Sequence, residues 1–168
     1  PPFVPQDNPC GVYLCDFMHT SDPDAPCTYL NFEGVDSAFY VWVNGEFVGY
    51  SQVSHSTSEF DVTDVLEDGV NTLAVLVLKW CDGSYQEDQD KFRMSGIFRD
   101  VYLLDRPEYA IRDMFVHTSI WRNVDSALVE AGISDDEYDA SPVDHATVDV
   151  DFAFFDDADV PVKVQLFD

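Results

Sequence analysis

The residues best suited to chemistry lie in positions 80–100, WCDGSYQEDQDKFRMSGIFRD. Glu87, Asp88 and Asp90 place three carboxylates close together, Gln89 adds an amide, and Trp80, Tyr85 and Phe92 supply aromatic rings beside them. Such a set suits a sugar, whose hydroxyls pair with carboxylate and amide oxygens while its C–H face lies on a ring. Neighbouring carboxylates also repel one another, and a cation or bound hydroxyl donors would relieve that repulsion. On residue types alone the same stretch also reads as a solvated acidic turn, the commoner use of such a loop.

Other candidates point less sharply. Arg93 and Arg99 are better placed to anchor acidic loop residues through charge-assisted bonds than to meet a substrate. Trp42 and Trp80 could stack on sugar, but a tryptophan in or beside a β-run is more often core. His19, His55, His117 and His145 share no spacing, which favours surface or satisfied side chains. Cys10, Cys15, Cys27 and Cys81 form no CxxC pair, so free thiols are expected rather than a zinc site or redox motif, although two disulfides remain formally open. No Ser/His/Asp order, phosphate-cradling glycine loop or glycosylation sequon is present. Glycoside hydrolysis needs two carboxyl groups flanking the scissile bond, and acidic residues are too abundant here for any pair to stand out.

These side chains must be positioned by β-structure. Prolines at 1, 2, 5 and 9 make the opening a draped, extended segment. Residues 11–18 and 28–32 read as strands, separated by the Asp22, Pro23, Asp24, Pro26 break. Residues 37–43 form a third, and Asn44-Gly45 predicts a type I′ hairpin turn with Phe47, Val48 and Tyr50 on the returning strand. Residues 51–60 read as a hydroxyl-rich loop, 67–69 as a turn, and 72–78 as a strand buried on both faces. Residues 97–104 supply one further strand, and Arg106-Pro107 marks a boundary. Beyond it, 111–120, 127–133, 146–155 and 161–167 read as four strands, with 134–144 an exposed acidic loop. Short strands with Gly, Asn and Asp turns argue for an all-β antiparallel sandwich.

Composition limits the partners. With 33 acidic residues against eight basic ones, the net charge of −25 disfavours nucleic acid and anionic membranes. It would suit a protein working in high salt, where screening relieves self-repulsion. Hydrophobic content of 46% describes a globular chain, and its longest apolar run, 73–78, is far too short to span a membrane. No signal-peptide pattern is evident, so a cytoplasmic location is expected.

The motif WxDGSYxEDQDxFRMSGIFRDVYLL, with 32–52 (FEGVDSAFYVWVNGEFVGYSQ), SEFD at 58–61 and the opening PPFVPQDNPCGVY, closely resembles the amino-terminal sugar-binding domain of glycoside hydrolase family 2 β-galactosidases. The resemblance implies a jelly-roll domain over 1–107, incomplete at its N-terminus, followed by a partial immunoglobulin-like domain over 108–168. It implies that Asp90 contacts galactose and ligates a sodium ion, with Glu87 and Asp88 either supporting it or acting as turn residues. It implies Na⁺ and Mg²⁺ in a parent enzyme that hydrolyses terminal β-galactosides such as lactose with retention, as a homo-oligomer with further domains. The family's catalytic glutamates belong to a downstream barrel and match nothing here, so this chain alone is expected to be inactive. The family's second sugar contact, an asparagine just before PPFVP, has no counterpart, so isolated galactose binding is expected to be very weak. The rival readings are a stand-alone carbohydrate-binding module and a purely structural β-sandwich.

Overall fold

The computed structural model describes residues 3–87, 92, 94–125, 129–130, 132, 134–155 and 161–167. They pack as two compact units, Pro1–Glu108 and Tyr109–Asp168. No helix among the described residues is long and apolar enough to cross a membrane.

The first unit is an antiparallel β-sandwich. One sheet runs in the order β1 (Cys10–His19), β7 (Gly69–Leu78), β4 (Ala38–Val43), β5 (Glu46–Ser51). The other runs β6 (Ser58–Asp61), β2 (Cys27–Phe32), β9 (Val101–Arg106), and the short strands β3 (Val35–Asp36) and β8 (Gly96–Ile97) form a separate pair. Side chains at alternate positions of β4 and β7 (Phe39, Val41, Val43, Val75, Val77) point inward and meet Leu30 and Phe32 of β2, with Val35 and Val62 closing the core. Each such burial contributes about 1.5–3 kcal/mol. Phe32 and Phe39 lie 4.9 Å apart, and Phe60 sets its edge against both. Gly49 makes room for that ring, since a Cβ there would stand 2.5 Å from it.

The Asn44-Gly45 hairpin forms as its sequence predicts: both residues have positive φ, 52° and 84°, and Val43 pairs with Glu46 across the two-residue turn. Other expectations need correction. Residues 58–60, read as the end of a loop, belong with Asp61 to β6, because Phe60 completes the core while the backbone pairs with Tyr29 through Phe32. Residues 97–104 are not one strand. β8 pairs with β3 whereas β9 pairs with β2, and the chain crosses between these partners at Phe98, Arg99 and Asp100. The strand read at 72–78 begins at Gly69 and is fully buried on one face only, its other face carrying the exposed Thr72 and the half-buried Ala74 and Leu76.

Before β7, Asp68 Oδ1 accepts hydrogen bonds from the Ser21 amide (2.7 Å) and the Ser21 hydroxyl (2.8 Å). These bonds, the amide first, hold the Asp68 carboxyl below its ordinary value. A depressed folded-state pKa contributes stability above the unfolded value of 3.8, lost as pH falls through the folded value. Asp68→Asn should therefore lower the urea midpoint at pH 6, and the gap from wild type should close as the pH is taken down towards 2. A gap independent of pH would remove the linkage.

In the second unit β10 (Ile111–Arg122) pairs antiparallel with β11 (Val143–Phe154), with the short helix α1 (Asp135–Ala140) before β11. Here four strands were expected. The reading at 127–133 falls partly outside the described residues; within it, the Val129 amide donates to the Asp125 carbonyl, the i to i−4 bond of a helical turn. Residues 161–167 carry no ladder, leaving Leu166 and Phe167 exposed. The acidic stretch 134–144 contains α1 rather than being loop throughout, with Asp135 and Asp136 at the N-terminal end where the helix dipole favours negative charge.

Candidate functional site

The loop after β7 is tied down at its start. Asn8 Nδ2 donates to the Trp80 carbonyl and Asn8 Oδ1 accepts the Trp80 amide, both at 2.9 Å, while the Lys79 amide donates to the Pro9 carbonyl. The draped opening of the chain is thereby bonded to the loop's first residues.

Asp82–Tyr85 then makes a 3-10 turn, organised by a buried serine. Ser84 Oγ accepts the Cys81 amide at 3.0 Å and lies 2.7 Å from Ser37 Oγ, which donates to Asp36 Oδ1 at 3.0 Å. This row of small polar side chains roots the turn on β3 and the start of β4. Asp36 is itself buried, and its Oδ2 has no hydrogen-bond partner.

Glu87 leaves the turn facing a neighbouring loop, where it accepts from the Ser54 hydroxyl at 2.6 Å and the Ser54 amide at 3.3 Å. These bonds tether the loop to its neighbour. Arg99 Nη1 donates to the carbonyls of Glu33 and His55 at 3.4 and 3.3 Å, with its guanidinium over the Phe98 ring. Arg99 therefore anchors backbone carbonyls, whereas acidic side chains were expected. Tyr85 donates its hydroxyl to the Phe3 carbonyl, and Phe92 is 91% exposed. Asp88, Gln89, Asp90 and Arg93 lie outside the described residues, so the substrate and sodium assignments to Asp90 rest on no geometry here.

Trp80 is half-buried beside this loop, with Lys79 Nζ 5.5 Å from its ring. Trp42 is not core either: it stands on the outer face of the sheet in an aromatic ladder with Tyr40, Phe47 and Tyr50. The reason is register, since Trp42 pairs with Ala74 and Phe47 on the face opposite Val41 and Val75. Tyr50 donates to Gln52 Oε1 at 2.8 Å, and burial pushes its phenol upward, with Cys81, Tyr40 and Asp82 adding to the shift.

His117 and His145 are exposed beside Asp151 and Asp144. His19 departs from the surface reading: its side chain is largely buried with Nε2 3.7 Å from Asp105 Oδ1, and neither ring nitrogen makes a hydrogen bond. None of the four cysteines is joined in a disulfide. Sequence reasoning missed Arg106, which makes a bidentate pair with Glu59 (3.0 and 2.7 Å) and covers the Tyr29 ring at 4.7 Å. Its place beside Pro107 drew attention to a boundary instead. Burial, followed by the nearby Asp61 carboxylate, pushes the Tyr29 phenol upward despite that guanidinium.

The described residues contain no group of three or more His, Cys, Asp or Glu side chains able to hold a metal ion.

Residues 1–107 match the family model described as "Glycosyl hydrolases family 2, sugar binding domain". A β-galactosidase of Actinobacillus pleuropneumoniae is 64% identical over 116 residues, 69% of this chain and 11% of that protein. One from Staphylococcus xylosus is 51% identical over 133 residues, 79% of this chain and 13% of that protein. The chain thus spans about an eighth of these relatives. Among solved structures, a β-glucuronidase from Ruminococcus gnavus shares the fold with a TM-score of 0.62 at 15% identity, covering 87% of this chain and 24% of that one. A glycosyl hydrolase family 2 member from Bacteroides cellulosilyticus gives 0.54 at 25% identity, covering 66% and 15%.

Proposed function

The chain belongs to the glycosyl hydrolases family 2 sugar binding domain family, and from that premise we propose that it is the non-catalytic amino-terminal part of a β-galactosidase. The parent hydrolyses terminal β-D-galactosides such as lactose, acts in the cytoplasm, and assembles as a homo-oligomer. The observation that carries this reading is identity of 49–64% to β-galactosidases over 69–80% of the chain.

In this reading the first unit walls the galactose subsite and residues 108–168 belong to an immunoglobulin-like domain. Asp90 meets the sugar hydroxyls. What this chain's described residues do is orient: Asn8, Ser84 and Glu87 fix the loop at its beginning, and Arg99 fixes it near its end. Preorganisation of this kind spares the cost of ordering the loop when the sugar binds. Sodium and magnesium are held mainly by the rest of the parent, with Asp90 as this chain's contribution to sodium. A bound cation would offset negative charge beside the sugar. Both catalytic carboxyls required for hydrolysis lie in the rest of the parent.

The test is turnover of a chromogenic β-galactoside. The full-length parent should cleave it and the purified 168-residue chain should not. Cleavage by the chain alone, or a parent inert to galactosides, would discard the reading.

A carbohydrate-binding module acting alone is favoured by one observation, the aromatic ladder of Tyr40, Trp42, Phe47 and Tyr50 on the outer face. Submillimolar affinity of the isolated chain for galactose or lactose would support it.

A further inference from the structure

Residues 36 and 37 sit between the two ends of the loop that follows β7. The Ser37 amide donates to the carbonyl of Leu78, the last residue of β7, at 3.1 Å. Asp36 pairs across the β3–β8 ladder with Gly96, the first residue of β8. Both residues are almost fully buried, at 1% and 0% exposure. One dipeptide therefore holds the point where the chain leaves the sheet and the point where it returns.

The two side chains reach into the loop as well. A hydroxyl has one hydrogen to give, and Ser37 gives its own to Asp36 Oδ1, so the 2.7 Å contact between the serines is Ser84 donating to Ser37. Ser84 Oγ in turn accepts the Cys81 amide. Every bond in the row thus points the same way, from the loop's backbone to the carboxylate. Asp36 fixes that direction, because a carboxylate accepts and never donates. Its other oxygen, Oδ2, is buried without a partner, a cost in stability that an apolar side chain would not incur. Asp36 is a poor choice for packing the sandwich and a good one for ending a one-way row of donors.

We propose that Asp36 is a positioning residue: through Ser37 and Ser84 it sets the root of the loop, and with it how tightly the parent binds a galactoside. The link to the sugar rests on the parental reading above.

The test uses the full-length parent and reads amide exchange by mass spectrometry beside steady-state kinetics on a chromogenic β-galactoside. In Asp36→Ala, peptides covering 81–87 should exchange about 10-fold faster while those of β4 and β7 keep their protection. KM should rise about 10-fold with little change in kcat, since a displaced loop loses binding geometry. Asp36→Asn keeps an acceptor for Ser37 and should recover most of both effects. Ser84→Ala cuts the same row from the loop side and carries the test if Asp36→Ala does not fold. Combined with Asp36→Ala, it should add little to either single change.

Unaltered exchange at 81–87 overturns the proposal, and so does a loosened loop beside an unchanged KM. Faster exchange spread through the whole first unit, or an asparagine variant as impaired as the alanine one, reduces Asp36 to a structural residue and overturns it equally. A wild-type parent inert to galactosides, with exchange at 81–87 still governed by Asp36, sinks the parental reading and leaves the clamp standing.

Discussion

Asp90→Ala in the full-length parent should lower kcat/KM for a β-galactoside by about 10- to 100-fold, with KM taking a large share, while leaving the fold intact. The magnitude follows from the proposed role. A hydrogen bond to a charged group is worth about 1.5–3 kcal/mol, and each 1.4 kcal/mol is tenfold. A share in holding sodium would add to that loss. Asp90→Asn separates the parts, since the amide keeps an acceptor for a sugar hydroxyl but lacks the charge. It should recover some affinity in KM and shift the sodium dependence to higher concentration. The thermal midpoint of Asp90→Ala should stay close to wild type, because the loop's described anchors lie at Asn8, Ser37, Ser54 and Glu33. Unchanged kcat and KM would remove Asp90 from the site.

What the sequence showed clearly was what depends on neighbours in the chain. The Asn44-Gly45 turn needs two positive φ angles, and the residue types announce them. The dense apolar and β-branched residues of 37–43 and 73–78 announce strands, though not which face of each is the outer one. The misreadings involve choices made far along the chain. Nothing local to Ile97 through Leu104 shows that β8 takes β3 as partner and β9 takes β2, so a single apolar run conceals a crossing. Trp42 looks like core until its register with Ala74 assigns it to the outer face. Residues 161–167 have strand-like composition, and a strand needs a partner edge as well as propensity. The carboxylates and rings of the 80–100 loop stand out because they are adjacent in sequence. Its supports were not: Asn8 lies 72 positions from Trp80, Ser37 lies 47 from Ser84, and Ser54 lies 33 from Glu87.

Asn71 is the strongest case of such a hidden support, and its replacement by alanine should destabilise the chain by about 3–4 kcal/mol. It is fully buried at the start of the central strand β7, where an apolar residue would be the ordinary occupant. Its Oδ1 accepts from the Glu67 amide (2.9 Å) and Asn44 Nδ2 (2.7 Å), and its Nδ2 donates to the carbonyls of Glu67 (2.7 Å) and Gly69 (3.2 Å). Asn44 in turn donates to the Val65 carbonyl and accepts the Thr72 amide, so the pair joins the β4–β5 turn to the approach to β7. Alanine leaves several of these groups without partners, at about 1–3 kcal/mol for each that water cannot reach. Against a total stability of about 5–15 kcal/mol, that is a large fraction. Asn71→Asp should be no milder, because it sets a second acceptor against two carbonyls and buries a charge. Asn44→Ala and Asn71→Ala share a bond, so in urea melts their combined loss should fall short of the sum. A loss below about 1 kcal/mol for Asn71→Ala would mean that water reaches these groups and that the network is not what fixes the hairpin to the strand.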